Sequence, residues 1–302
     1  MKAVVLKEYG GPDQLKYEDW EDPQVGDDQI LIRVTAAGVN PIDWKIRSGA
    51  MKEFMPLELP TILGYDYSGV VSSVGKSVKG YVEGDKVFGR ASKTYAECLF
   101  ADFAGLSKLP DGLDLTEAAA LPVVLNTGEQ LITQAGKVQS GQTVVITGAL
   151  GSVGRTAVWV AQKLGARVIV GVRGSQKEAA EELGADAVLT LDSPQEMNSL
   201  GLVDVVADTI GRGIGDALIA KVRPGGTYAS VVGPPSSAKL HPAVNVEAFG
   251  SHPDAGSMRS LAEDIVNNKF KIPVDRTFPL ADAAKAHAVG EKGGVGKILL
   301  LA

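Results

Sequence analysis

"VVITGALGSVGRTAVWVAQKLGARVIVGVRGSQK" (residues 144–177) changes its hydrophobic period once and then changes it back. The opening run "TVVIT" is short, β-branched and bounded by Gly141 and Gly148, which reads as a buried strand of a parallel sheet. From Ser152 onward Val153, Ala157, Val160, Ala161 and Leu164 recur at spacings of three and four, the buried face of a helix, and Gly165 stands where that helix should stop. "ARVIVGV" follows as a second buried strand. The unit is strand, glycine turn, helix, strand, long enough for a right-handed parallel crossover. Its turn, Ala149-Leu150-Gly151-Ser152-Val153-Gly154, is a dinucleotide fingerprint with Ala in place of the first glycine. Gly151, Ser152 and Val153 lead into the helix, where free N–H groups suit a pyrophosphate. Gly154 allows close packing of helix on sheet.

The same stretch selects the cofactor. A site for NAD usually carries Asp or Glu at the end of the second strand to hold both ribose hydroxyls. Here the sequence is Val172-Arg173-Gly174-Ser175-Gln176-Lys177, with no carboxylate before Glu178. Arg173, Ser175 and Lys177 suit a 2′-phosphate, because charge-assisted bonds to phosphate oxygens favour NADPH.

At 302 residues the chain is long for a single core, and a two-domain molecule is expected. Up to about residue 110, short apolar runs such as "QILIRVTAAGV", "YSGVVSSVG" and "TYAECLFA" are cut by Gly, Pro and Asp, which signals a β-rich domain. Beyond it, "DAVLT", "VDVVADT", "GTYASVV" and "AVNVEAF" join the first two strands, with helices between most of them, as a doubly wound α/β sheet of six strands. The tail adds a helix in "MRSLAEDIVNN", an extended "KIPVDRTFPL", a helix in "ADAAKAHAV" and a last strand in "GKILLLA".

The net charge of −6 and the lack of a basic block make nucleic acid or an anionic membrane a poor partner. No apolar stretch approaches the roughly 20 residues of a membrane span. The opening "MKAVVLKEYG" reads as a strand rather than a signal peptide, so the cytoplasm is the expected compartment. The single cysteine, Cys98, excludes an internal disulfide and a Cys-rich zinc site, and its setting suggests a strand residue. The three histidines, His241, His252 and His287, stand at no ligand spacing.

Several segments, in order, carry a resemblance: "AAGVNPIDWKIRSG" (36–49), "PTILGYDYSGVVSSVG" (60–75), "EGDKVFG" (83–89), "AALPVVLNTGEQLI" (119–132), the glycine turn, "VRPGGTYASVVG" (222–233) and "GKILL" (296–300). Nearly the whole chain resembles the zinc-independent branch of the medium-chain dehydrogenase/reductase family, the quinone oxidoreductase and alkenal/enone reductase group. The resemblance implies a GroES-like β-rich catalytic domain over residues 1–118 and 270–302 and a Rossmann NADP(H)-binding domain over 119–269, with substrate and cofactor sharing the cleft between them. Where zinc-dependent relatives place a catalytic Cys this chain has Val39-Asn40-Pro41, and where they place a His it has Gly64-Tyr65-Asp66, so no metal is expected. Without a Lewis acid to stabilise an alkoxide, such a reductase favours acceptors already activated by conjugation.

The resemblance brings Asn40, Asp43, Lys45 and Tyr65 to the catalytic site. Lys45 would polarise a carbonyl and Tyr65 would donate a hydrogen bond or a proton. The alternatives are an Asp43–Lys45 ion pair and a Tyr65 ring that only packs. Thr127 matches a threonine that hydrogen-bonds the nicotinamide carboxamide, and Val231, Val232 and Gly233 would line the nicotinamide pocket. The expected activity is NADPH-dependent hydride transfer to a quinone or an α,β-unsaturated carbonyl. The rival reading is an NADPH-binding redox sensor or structural protein with little turnover. A homodimer is also implied, pairing Rossmann domains through the strand in "AVNVEAFG".

This reading predicts that NADPH binds well above NADH. Arg173→Ala combined with Lys177→Ala should weaken NADPH by at most about 3 kcal/mol and barely change NADH, measured by quenching of protein fluorescence. Equal affinity of the unaltered protein for the two cofactors would overturn it.

Overall fold

The computed structural model describes residues 1–211, 213–293 and 296–302. The chain divides into two compact units, the first comprising Met1–Val123, Pro253–Asn268 and Ile272–Ala302, the second Val124–His252 and Lys269–Lys271.

The second unit holds the stretch that opened the sequence. Strand Thr143–Thr147 and helix Ser152–Lys163 form there, followed by strand Arg167–Val172. All three strand residues Val144, Val145 and Ile146 are fully buried, as the apolar run requires. The helix ends at Lys163, and Gly165 takes φ +76°, a left-handed conformation that glycine adopts without a Cβ penalty. Among the described residues the sheet has six parallel strands in the spatial order Ala187–Thr190, Arg167–Val172, Thr143–Thr147, Val203–Asp208, Val222–Ser230 and Asn245–Ala248. The order reverses at Thr143–Thr147, which has Arg167–Val172 on one side and Val203–Asp208 on the other. This is the arrangement of a dinucleotide-binding sheet, in which ligands sit beyond the strands' carboxyl ends at the point of reversal. The glycine turn is at that end of Thr143–Thr147.

Gly154 explains why the turn tolerates no side chain there. A Cβ on it would lie 2.2 Å from the carbonyl oxygen of Gly148 and 2.7 Å from Ala149 Cα, both backbone atoms that have nowhere to move.

The first unit is mainly antiparallel. Its larger sheet runs in the order Val274–Pro279, Lys297–Leu301, Ile30–Val39, Asp66–Val74, Lys86–Arg90 and Leu106–Lys108, with Cys98–Phe100 pairing beside Ile30–Val39. The strand read in "GKILLLA" thus finds its partner: Ile298 to Leu301 lie antiparallel to Val39 to Ala36. A smaller sheet joins Leu15–Asp19, Lys2–Leu6 and Thr61–Ile62. One apolar core of this unit includes Val4, Leu6, Ile46, Leu63, Ile298 and Leu300, and a second gathers Ile30, Ile32, Tyr67, Val87 and Leu99. Cys98 is a strand residue at intermediate exposure, and burial pushes its thiol up from the ordinary range. Among the described residues no helix is long and apolar enough to cross a membrane.

Candidate active site

In the first unit the expected residues gather around a short helix, Pro41–Arg47. Asn40 precedes it in an extended conformation, φ −125° and ψ 154°, and Pro41 is its first residue, where a missing N–H costs nothing. Asp43, at the third helical position, accepts a hydrogen bond from the Asn40 backbone N–H at 2.7 Å. The helix stops before Gly49, whose φ is +82°.

The Asn40 side chain faces two other segments. Its Nδ2 donates to Asp66 Oδ2 at 2.8 Å, and its Oδ1 accepts from Lys297 Nζ at 2.8 Å. Lys297 Nζ also lies 3.0 Å from Asp66 Oδ2, and the Val123 N–H donates to Asp66 Oδ1 at 2.6 Å. Both charged side chains are sealed from water, with 5% of Lys297 and none of Asp66 exposed. The last strand therefore delivers an ammonium to the polar cluster, a role that the leucine pattern of "GKILLLA" did not disclose.

Asp43 is buried and does not pair with Lys45. Its Oδ2 accepts from the Tyr95 hydroxyl at 2.8 Å, while its Oδ1 is buried with no hydrogen-bond partner. Burial pushes the Asp43 carboxyl up to about 7, against the opposing pull of the Asn40 N–H and the Tyr95 hydroxyl. Tyr65 is half-buried against the first unit's core, and its phenol is made less acidic by burial first and by the nearby charge of Asp43 second. Lys45 lies on the same short helix, partly exposed.

Tyr95 leads to further residues. Arg47 Nη1 is 3.3 Å from His287 Nδ1, and His287 Nε2 is 3.2 Å from the Tyr95 hydroxyl. Arg47 also pairs with Glu291 and donates from Nε to the Gly10 carbonyl at 3.1 Å. Burial, then the positive charge of Arg47, push the His287 imidazole down to about 3, so the ring is neutral.

In the second unit, helix Ser152–Lys163 starts at Gly151 with no side-chain cap, which leaves its first N–H groups for a ligand anion. Arg173, Ser175 and Lys177 are exposed after strand Arg167–Val172. Two carboxylates hold this loop: Asp192 accepts from the Gly174 N–H at 2.8 Å, and Glu196 lies 3.3 Å from Lys177 Nζ. Thr127 Oγ1 is 2.8 Å from Ser251 Oγ. Val232 and Gly233, with Asp208, Gly211, Tyr228 and Pro235, help to line a cavity of about 300 Å³. Val231 donates its N–H to the Asp208 carbonyl at 3.2 Å.

Asp208 organises that end of the sheet. Fully buried, its carboxylate accepts from Thr147 Oγ1 at 2.7 Å, the Tyr228 hydroxyl at 2.8 Å and the N–H groups of Ile210 and Gly211 at 3.0 and 3.1 Å. Its place in "VDVVADT", an acid at the very end of an apolar strand, is the signal in the sequence. Tyr95, His287 and Lys297 had no comparable signal, because their partners are between about 50 and 260 positions away in the chain.

The donor set does not suit a metal. Among the described residues no group of three or more His, Cys, Asp and Glu is placed to hold one. The two acceptors beside the helix, Asn40 Oδ1 and Asp66 Oδ2, already share an ammonium. The uncapped helix, the close turn and the exposed cationic loop do suit a phosphorylated dinucleotide.

Two family descriptions match the chain, "Alcohol dehydrogenase GroES-like domain" over residues 26–114 and "Zinc-binding dehydrogenase" over 183–300. The chain belongs to the medium-chain dehydrogenase/reductase family. It is 32% identical over 246 residues to a 2-methylene-furan-3-one reductase of Solanum lycopersicum, covering 77% of this chain and 62% of that one. To a chloroplastic NADPH-dependent alkenal/one oxidoreductase of Arabidopsis thaliana it is 31% identical over 246 residues, covering 77% and 63%. The chain thus spans less than two thirds of the length of these plant relatives. The structure of a quinone oxidoreductase from Coxiella burnetii superposes with a TM-score of 0.88 at 28% identity, covering 100% of this chain and 99% of that one.

The opposite shifts of Asp43 and His287 predict a specific pH behaviour. Asp43 titrates at about 7 when folded against 3.8 ordinarily, so the folded state holds the extra proton and this group's contribution falls as pH rises through that window. His287 titrates at about 3 against 6.5, so the unfolded state holds the extra proton and its contribution rises with pH. Where the windows overlap the two slopes cancel. Asp43→Asn should leave the histidine slope alone, so that the variant, compared with the parent, gains stability between about pH 4 and 6.5 in urea titrations. An unchanged slope would refute the assignment.

Proposed function

We propose that the protein is an NADPH-dependent reductase that adds hydride to a quinone or an α,β-unsaturated carbonyl without a catalytic metal. The observation that carries this reading is the ammonium of Lys297 seated between Asn40 and Asp66, where a cation is already provided by the chain itself. The names of the relatives, alkenal/one oxidoreductase and quinone oxidoreductase, support the same class. A cytoplasmic location is also part of the proposal.

Bound NADPH would supply the hydride, and the remaining work falls to the chain's residues. The uncapped N–H groups after Gly151 hold the pyrophosphate, and Arg173, Ser175 and Lys177 hold the 2′-phosphate. Lys177 must exchange Glu196 for that phosphate. Because both partners are exposed, the exchange costs little. The Thr127 hydroxyl takes the carboxamide, and Val231, Val232 and Gly233 wall the nicotinamide. Lys45 stabilises negative charge on the acceptor oxygen as hydride arrives, and Tyr65 or solvent returns one proton.

Loss of NADPH absorbance with a panel of quinones and enones, after dialysis against a strong chelator, tests this. Acceptor-dependent oxidation is expected; none with any acceptor would leave a cofactor-binding protein without turnover, and activity lost together with stoichiometric zinc would refute metal independence. Lys45→Met keeps the stem and deletes the charge, and should lower kcat for an enone at least about tenfold with NADPH affinity within about threefold. Tyr65→Phe should lose less, because water replaces one hydroxyl. Unchanged rates in both would assign the two residues to packing.

A homodimer through the edge strand Asn245–Ala248 is a further part of the proposal. The strand pairs with Val222–Ser230 on one side and ends the sheet on the other, and an exposed edge is a template for a second copy. Sedimentation at micromolar concentration should give twice the chain mass; a monomer would reject it.

A further inference from the structure

The hydrogen bonds that run inward from Arg47 all point one way. A guanidinium only donates, so His287 Nδ1 accepts from Arg47 Nη1, and the neutral ring then carries its proton on Nε2. That N–H donates to the Tyr95 oxygen, which leaves the Tyr95 proton for Asp43 Oδ2. Asp43 Oδ2 takes the Asn40 N–H as well, so both fixed donors meet one carboxylate oxygen. The other, Oδ1, is buried with no hydrogen-bond partner, which leaves it to carry the carboxyl's own proton.

The imidazole has little freedom to leave this register. His287 is fully buried, and its ring meets Tyr95 and Trp44 edge-on, at centroid distances of 5.7 and 6.3 Å. Trp44 belongs to the short helix that bears Asp43, Lys45 and Arg47, so both ends of the chain of bonds return to that helix. His287 itself comes from helix Ala283–Gly290. Besides Tyr95, the charged and titratable groups acting on Asp43 are Asp66 of strand Asp66–Val74 and Lys297 of the last strand, and Tyr65, made less acidic by burial first and by Asp43 second, stands near it.

We propose that His287 is a positioning residue for the reductase site: locked by Arg47 as the Nε2–H form, it orients the Tyr95 hydroxyl onto Asp43 and so fixes the helix that carries Lys45. The proposal rests on the reductase reading for its kinetic consequences. Its tautomer and hydrogen bonds stand without it. Loss of the imidazole frees the Tyr95 hydroxyl, and Asp43 loses a donor that favours its charged form, so the carboxyl becomes a still weaker acid.

Two measurements separate this from plain packing. In the unaltered protein, nitrogen NMR should show a His287 ring protonated on Nε2 only, with no titration between pH 5 and 8; a ring titrating in the ordinary range of about 6.5, or protonated on Nδ1, would overturn the proposal. Ionisation of Asp43 changes the charge on the short helix that carries Lys45 and so sets one limb of the kcat profile; with an enone, His287→Phe should move that limb upward by about one pH unit and lower kcat about three- to tenfold, with KM within about threefold. His287→Gln, whose amide both donates and accepts, should restore the limb and most of kcat. Should His287→Phe fail to fold, Tyr95→Phe removes the same donor from Asp43 and should shift the limb in the same direction. Parent-like profiles in the phenylalanine variants would overturn the proposal. An unaltered protein inactive on every acceptor would instead sink the reductase reading, and the NMR result alone would decide the position of His287.

Discussion

Removing the ammonium of Lys297 and the carboxylate of Asp66 from water is costly, and the first unit is arranged around compensating for it. An isolated pair at 3.0 Å does not recover the several kcal/mol that each ion loses on burial. Here the Asn40 amide accepts from one ion and donates to the other, and the Val123 N–H supplies Asp66 with a further donor. Four chain segments, around residues 40, 66, 123 and 297, are thereby tied at one place. Truncating either ion would leave the other buried and unpaired, which costs about 3–5 kcal/mol in comparable cases.

The second unit uses the same device with a single ion. Asp208 sits where the parallel strands end and collects hydroxyls from Thr147 and Tyr228 and two backbone N–H groups of the following loop. Donors from two neighbouring strands and from the loop after its own strand converge on one carboxylate. The loops at the sheet's carboxyl end, where the glycine turn also lies, are held by charge-assisted bonds, which are stronger than neutral ones.

What the sequence disclosed and what it concealed follow from distance along the chain. The turn at Gly148 to Gly154, its flanking strands and the helix were legible because an apolar β-branched run between glycines and a 3.6-residue period are both local. The final strand was legible as a strand from its leucines. That Lys297 beside them would reach Asn40, 257 positions away, was not, because a lysine before an apolar run ordinarily turns to solvent. The network of Tyr95 and His287 was hidden for the same reason, joining side chains 192 positions apart. Asp43 was named from its motif, yet its partners differ from the ion pair with Lys45 that neighbouring charges on one helix suggest. Burial decided this: a carboxylate with 1% exposure takes fixed donors in preference to a flexible lysine that remains partly in water.

The cationic loop near the second strand shows how the same chain handles charge at the surface. Arg173 and Lys177 are exposed, and Glu196 already balances Lys177. Glu196 is itself occupied by the Thr190 N–H at 2.8 Å, so it keeps a partner when Lys177 turns away. A phosphate arriving at the loop therefore strands no carboxylate, and the solvent screens what repulsion remains over about 8–10 Å at ordinary ionic strength. Asp192 is different, since its bond to the Gly174 N–H helps to shape the turn between Arg173 and Ser175. A negative charge at that point disfavours any second negative group that comes close. On the proposed reading, discrimination between NADPH and NADH would be a balance between exposed cations and one carboxylate fixed by the turn.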